Sequence, residues 1–235
     1  HVHTDNPGDA LQNALQHGAL TKIKIENMRE QHADNQKAVR ESMTGGFQYA
    51  PVDPSNAYGF VAVCAGDGVE QLFQDLGVTN VVKGGQTMNP STDDILREID
   101  ATPAEVVFVL PNNKNIIMAA EQCVRLVEGK QVVVLPTKTI PQGISALMVM
   151  DPEAEVEDNR AAMAEAIGWV HTSEITYAAR DSDFDGFAIK RGDYLALTEH
   201  QLFGTDRDLD ALLERLAQAE PQQNAEFISI FYGSD

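Results

Sequence analysis

The sequence predicts an α/β fold, a mostly parallel sheet with helices on both faces, followed by a smaller α+β lobe. Two observations carry that prediction. Between residues 58 and 150, short unbroken apolar runs at 60–64, 106–110 and 132–135 alternate with helical stripes. Unbroken apolar strands between helices mark a parallel sheet covered on both faces. Beyond residue 155 the rhythm changes: Glu174-Ile175-Thr176-Tyr177-Ala178 alternates, and Asp183-Phe184-Asp185-Gly186 reads as a turn between short strands.

Residues 1–25 read as strand, helix and strand. Asn6-Pro7-Gly8-Asp9 is a helix start, with Asn6 as N-cap and Pro7 at the first helical position. Leu11 and Leu15 give the helix its stripe and Gly18 its stop, and Lys22-Ile23-Lys24-Ile25 alternates like a strand with one wet face. Residues 26–57 are polar, carry Gly45-Gly46 and two prolines, and are expected to be a linker.

The lobe at 58–150 then runs strand 60–64, a helix on Val69, Leu72, Phe73 and Leu76 that stops at Gly77, and strand 79–82. Helix 93–99, capped by Ser91 or Thr92, strand 106–110, helix 116–126, strand 132–135 and helix 140–150 complete it. In the second lobe, residues 151–235, helix 156–170 leads into the strand pair around the turn. A helical stripe on Leu209, Leu212, Leu213 and Leu216 and a last strand at 227–232 follow. The chain opens mid-strand at His1 and has no closing element at Asp235, so both ends are expected to be cuts inside a longer protein.

Composition narrows the function classes. The 235 residues are 43% hydrophobic, which fits a folded chain. Seventeen basic residues against 36 acidic ones give a net charge of −19, a surface that repels nucleic acid and anionic membranes and suits solubility or a basic partner. No apolar run approaches the roughly 20 residues of a membrane span. Cys64 and Cys123 lie in apolar stretches without histidine at metal-ligand spacing, as buried thiols of a reducing, cytoplasmic compartment would.

Four constellations could carry chemistry. His1-Val2-His3 places two imidazoles on one strand face, an incomplete metal-ligand pair that could equally be a tag remnant. Gly84-Gly85-Gln86-Thr87-Met88-Asn89-Pro90-Ser91-Thr92 joins a strand to a helix and offers Thr87, Asn89 and Ser91, though an ordinary capped helix start explains it as well. Pro111-Asn112-Asn113-Lys114-Asn115 is dense in donors and acceptors, where a cap needs only one asparagine. Pro136-Thr137-Lys138-Thr139-Ile140-Pro141-Gln142-Gly143 occupies the same position after the next strand. All three loops follow strands, so they should share the sheet edge where open α/β folds bind ligands. Walker and dinucleotide fingerprints are absent, as are a nucleophile elbow and a calcium loop.

These blocks resemble a known family. His1-Val2-His3-Thr4-Asp5-Asn6-Pro7-Gly8 and Lys22-Ile23-Lys24-Ile25-Glu26-Asn27-Met28-Arg29-Glu30-Gln31-His32 resemble the end of the middle domain of the A component of bacterial fatty-acid kinase, whose family is also called dihydroxyacetone-kinase-like or "Dak phosphatase" proteins. The three later loops resemble signatures of its C-terminal domain, which is itself similar to DegV-type lipid-binding proteins. The resemblance implies an N-terminal kinase domain, outside this chain, that uses ATP and magnesium to phosphorylate a fatty acid held by a DegV-like carrier, feeding phospholipid synthesis. It implies that His1 and His3 match an HxH pair whose cysteine partner lies upstream, so zinc there would need residues this chain lacks. It places a headgroup site at the three loops: Thr87 and Ser91 keep the hydroxyl character, while Asn112 and Asn113 replace a serine-rich stretch.

Three functions follow as expectations. The first is a non-catalytic region that docks the DegV-like carrier, the parent's own kinase domain or a second copy of itself. The second is a fatty-acid or anion site built from Thr87, Asn89, Ser91, Asn112, Asn113, Asn115 and Thr137. The third is a metal-dependent phosphatase using His1 and His3.

Overall fold

The computed structural model describes residues 12–16, 54–84, 89–184, 187–199 and 201–233. Contacts divide the chain into two units, His1–Tyr49 and Ala50–Asp235. In the first, residues 12–15 are helical, within the helix expected before Gly18. The strands expected at 1–3 and 22–25, and nearly all of the 26–57 linker, lie outside the described residues.

The second unit opens on four parallel strands: β1 (Asn56–Cys64), β2 (Asn80–Lys83), β3 (Ala104–Leu110) and β4 (Gln131–Val134), in the order β2-β1-β3-β4. Between and after them come α1 (Asp67–Asp75), α2 (Thr92–Ala101), α3 (Lys114–Cys123), α4 (Ile140–Met148) and α5 (Val156–Gly168). Successive strand residues point to opposite faces. Phe60, Ala62, Cys64, Phe108 and Leu110 therefore pack with Phe73 of α1, Ala146 and Leu147 of α4, and Met163 and Ile167 of α5. Val61, Val63, Val107 and Val109 pack the other way, against Ile95 and Ile99 of α2 and Ile116, Ala120 and Cys123 of α3. A strand buried on both faces cannot show polar alternation, which is why these runs are unbroken.

Local chemistry fixes the joints. Gly59 lies where β1 passes the α2–β3 turn, and a Cβ there would fall 2.5 Å from Thr102 Cγ2 and 2.8 Å from the Ala104 side chain. Lys130 Nζ donates to the carbonyls of Ile99, Asp100 and Thr102, satisfying the end of α2 from the α3–β4 turn. Burial holds its pKa below the ordinary value, with Asp100 opposing that shift. Tyr58 Oη donates to Ala154 O at 2.6 Å, tying β1 to the connection before α5.

The second lobe holds β5 (Ser173–Tyr177), β8 (Tyr194–Thr198) and β9 (Gln201–Asp206) in one antiparallel sheet, and β6 (Ser182–Phe184) with β7 (Phe187–Ile189) as a separate hairpin. Helices α6 (Leu209–Ala217) and α7 (Glu220–Gln223) follow. Its core is small, with Ala196 buried against Leu212 and Leu216.

Several expectations need correction. β1 opens at Asn56, inside the segment assigned to the linker, and α3 runs Lys114–Cys123 rather than 116–126 because turns take over at Val124. β8 and β9 escape sequence reading, since Tyr194-Leu195-Ala196-Leu197-Thr198 does not alternate and Gly204 interrupts its partner. Leu213 is exposed, so the α6 stripe rests on Leu212 and Leu216. The strand expected at 227–232 forms no ladder.

Two substitutions test these joints by urea denaturation. Lys130→Met should cost about 1–3 kcal/mol by removing three hydrogen bonds from a charged donor, the carbonyls of Ile99 and Thr102 keeping their backbone donors. Gly59→Ala should cost about 1–3 kcal/mol through overpacking.

Candidate functional site

Parallel strands bring the carboxyl ends of β1 to β4 to one edge, and there the β3–α3 and β4–α4 loops meet, while the start of α2 lies against Gln122 and Cys123 at the end of α3. The strand order reverses between β1 and β3: the chain leaves β1 for β2 on one side, then builds β3 and β4 on the other. That switch point is where open α/β sheets form a ligand crevice.

Asn112 occupies it. The residue follows β3, is only 8% exposed, and has a φ of 54°, a left-handed backbone that asparagine tolerates better than most residues. Its backbone N–H donates to Thr137 Oγ1 at 3.0 Å, and its Nδ2 donates to Val63 O of β1 at 3.0 Å. Its Oδ1 is buried without a hydrogen-bond partner. That oxygen lies against Gly143 of α4, where a Cβ would approach it to 2.3 Å. One residue thus joins β1, the β3–α3 loop, the β4–α4 loop and the first turn of α4.

The surrounding polar groups are also engaged. Thr137 is fully buried. Thr139 caps α4 by accepting from Gln142 N–H at 3.4 Å, Gln142 Oε1 accepts from Lys138 N–H at 2.7 Å, and Thr139 Oγ1 lies 2.9 Å from Thr172 Oγ1. Asn113 Oδ1 accepts from Asn115 N–H at 2.9 Å and caps α3. Ser91 caps α2 in a reciprocal box with Asp94: Ser91 Oγ accepts from Asp94 N–H at 3.1 Å, and Asp94 Oδ2 accepts from Ser91 N–H at 3.0 Å. These bonds to Ser91 hold the Asp94 carboxyl below its usual range. Asn89 and Asn115 are exposed, while Thr87, His1 and His3 lie outside the described residues. Among the described residues, no group of three or more His, Cys, Asp or Glu side chains could hold a metal ion.

Exposed cations rim the edge in this acidic chain. Lys83 ends β2 and pairs with Glu70 at 3.2 Å, which raises its pKa; Lys114 opens α3, and Lys138 precedes α4. Cys64, at the end of β1, is pushed up to about 11, first by burial and then by Glu70. Burial pushes Cys123 up to about 12, with Asp93 and Asp100 adding to it. Neither thiol is an activated nucleophile.

Sequence reasoning expected all three loops at one edge; the structure joins the β3–α3 and β4–α4 loops, through an Asn112 tie and a Gly143 contact that the sequence did not reveal. A glycine inside an otherwise apolar helix start was the available signal of close approach. Asn112→Ala should cost about 1–3 kcal/mol in urea, and Gly143→Ala should destabilise comparably by evicting the amide. Both thiols should resist a disulfide reagent at pH 8 until the chain unfolds. Because the folded thiol values are raised, their contribution to stability should hold below the ordinary value of 9.0 and be lost as the pH rises toward about 11 for Cys64 and about 12 for Cys123.

Comparison with known proteins agrees with this architecture. Residues 59–235 match the C-terminal model, and residues 1–35 the middle-domain model, of the FakA-like fatty acid kinase proteins. The chain is 41% identical over 235 residues to Protein YloV of Bacillus subtilis strain 168. It is 39% identical over 237 residues to an uncharacterized protein of Staphylococcus epidermidis strain ATCC 12228, and 37% identical over 235 residues to one of Staphylococcus aureus strain USA300. Each alignment covers 100% of this chain and 42% of the relative, so the chain spans less than half the length of those proteins. With its parallel sheet and polar carboxyl edge, this chain belongs to the FakA-like fatty acid kinase family.

Proposed function

We propose that this chain is a docking and assembly region of a fatty-acid kinase, and that the ATP and magnesium chemistry belongs to a kinase domain elsewhere in the parent protein. Its partners in this reading are a DegV-like fatty-acid carrier and the parent's own kinase domain. The observation that carries the reading is Asn112. At the switch point, where a sheet of this topology would receive a small ligand, the buried Asn112 donates from its side-chain Nδ2 to Val63 O and from its backbone N–H to Thr137 Oγ1. Ser91, Asn113 and Thr139 are likewise taken up as helix caps. What remains outward is a strongly acidic surface, net −19, with a few lysines at one edge, a pattern that favours electrostatic recognition of a protein. Among the described residues, no helix is long and apolar enough to cross a membrane.

A second reading, a carboxylate or phosphate site at the same edge, is favoured by Lys114 and Lys138 beside the amino ends of α3 and α4. The two readings separate experimentally. In pull-downs with the purified carrier, the docking reading expects capture by this chain without the kinase domain, weakening as salt rises. Capture only when the kinase domain is present would overturn it. Saturable binding of a free fatty acid, abolished by Lys138→Glu, would establish the second reading instead.

A further inference from the structure

The small lobe has an open sheet edge and an unattached segment of strand-like composition. Residues 227–233 lie outside helix and strand and pair with nothing in the described sheets. The run Phe227-Ile228-Ser229-Ile230-Phe231-Tyr232 is β-branched and aromatic, and it is bare to solvent: Phe227 is 94% exposed, Ile230 80% and Tyr232 91%. Among the described residues, no strand covers the outer edge of β5. An exposed edge beside an exposed apolar run is a combination folded proteins avoid.

Three observations join the two. First, Ile175 of β5 pairs with Ala196 of β8, so both lie on the face that α6 covers. Ala196 is buried there by Leu212, whereas Ile175 is left 40% exposed and Tyr177 69%, so the apolar face runs past the helix toward the β5 edge. Second, Gln222 of α7, just ahead of the segment, donates from Nε2 to Ser173 Oγ at 3.0 Å, which delivers the chain to the first residue of β5. Gln222 Oε1 at that junction is buried without a partner, an acceptor waiting for a donor. Third, β5 and β9 are both antiparallel to β8 and hence parallel to each other. A chain leaving β9, returning through α6 and starting again at Ser173 runs parallel to both, as a strand–helix–strand crossover requires.

We propose that Phe227–Tyr232 is an edge strand of this sheet that docks in parallel along β5 of its own chain, giving the order segment-β5-β8-β9 and covering Ile175 and Tyr177. Hydrogen exchange on the full 235-residue chain tests this. Amides of 227–232 and of β5 should exchange at least about tenfold more slowly than unfolded chain, in a species that light scattering shows to be monomeric. The double variant Ile228→Asp, Ile230→Asp should free both segments together, while amides of β3 stay protected and report an intact main sheet. Unfolded-rate exchange of the segment in the unaltered chain would overturn the proposal. So would β5 protection that the double variant leaves unchanged, or protection confined to a dimeric fraction.

Discussion

The carboxyl edge of the main sheet is held by one buried amide. Asn112 reaches from the end of β3 to the Val63 carbonyl of β1, takes the Thr137 hydroxyl on its own N–H, and rests its remaining oxygen on Gly143. These contacts continue the β1–β3 pairing beyond its last ladder pair, Ala62 with Leu110, at the point where the strand order reverses. Much of the surrounding design follows from that tie. Position 112 must accept a left-handed backbone, position 137 must offer a small hydroxyl acceptor, and position 143 must have no side chain. The partnerless Oδ1 is a consequence of the arrangement, since its geometry suits the two donors and leaves the acceptor against a helix backbone.

The same edge shows how one local feature serves either structure or binding. Helices α2, α3 and α4 each begin after one of the parallel strands, and each amino end presents N–H groups that a helix leaves unpaired. In this chain Ser91, Asn113 and Thr139 answer those groups from within. A loop rich in hydroxyls and amides is therefore no evidence of a ligand until its internal bonds are known. The lysines at 83, 114 and 138 differ in kind, because they are exposed cations on an otherwise acidic molecule. Lys83 is paired with Glu70, while Lys114 and Lys138 stand exposed beside the amino ends of α3 and α4.

The two lobes of the second unit are held by different means. The main sheet is buried on both faces, so its stability rests on two apolar layers and on close approaches such as Gly59 against Thr102. The small lobe has a three-stranded sheet and a thin core around Ala196, Leu212 and Leu216. Its apolar contacts are few, so less surface is buried to hold it than in the main sheet. Its order depends more on what lies beside it than the order of the main sheet does.

How far the amino-acid sequence reached can be judged element by element. Its unbroken apolar runs identified β1, β3 and β4 and the parallel α/β class, because burial on both faces writes itself directly into composition. It put the β3–α3 and β4–α4 loops side by side, since the parallel strands before them end at the same edge, but it did not show that the start of α2 lies against Gln122 and Cys123. It missed β8 and β9, whose neighbours across the sheet, not their own periodicity, make them strands. It could not show that Asn112 closes the switch point. That depends on Val63, Thr137 and Gly143 arriving together from separate parts of the chain, and convergence over such separations is set by tertiary packing alone.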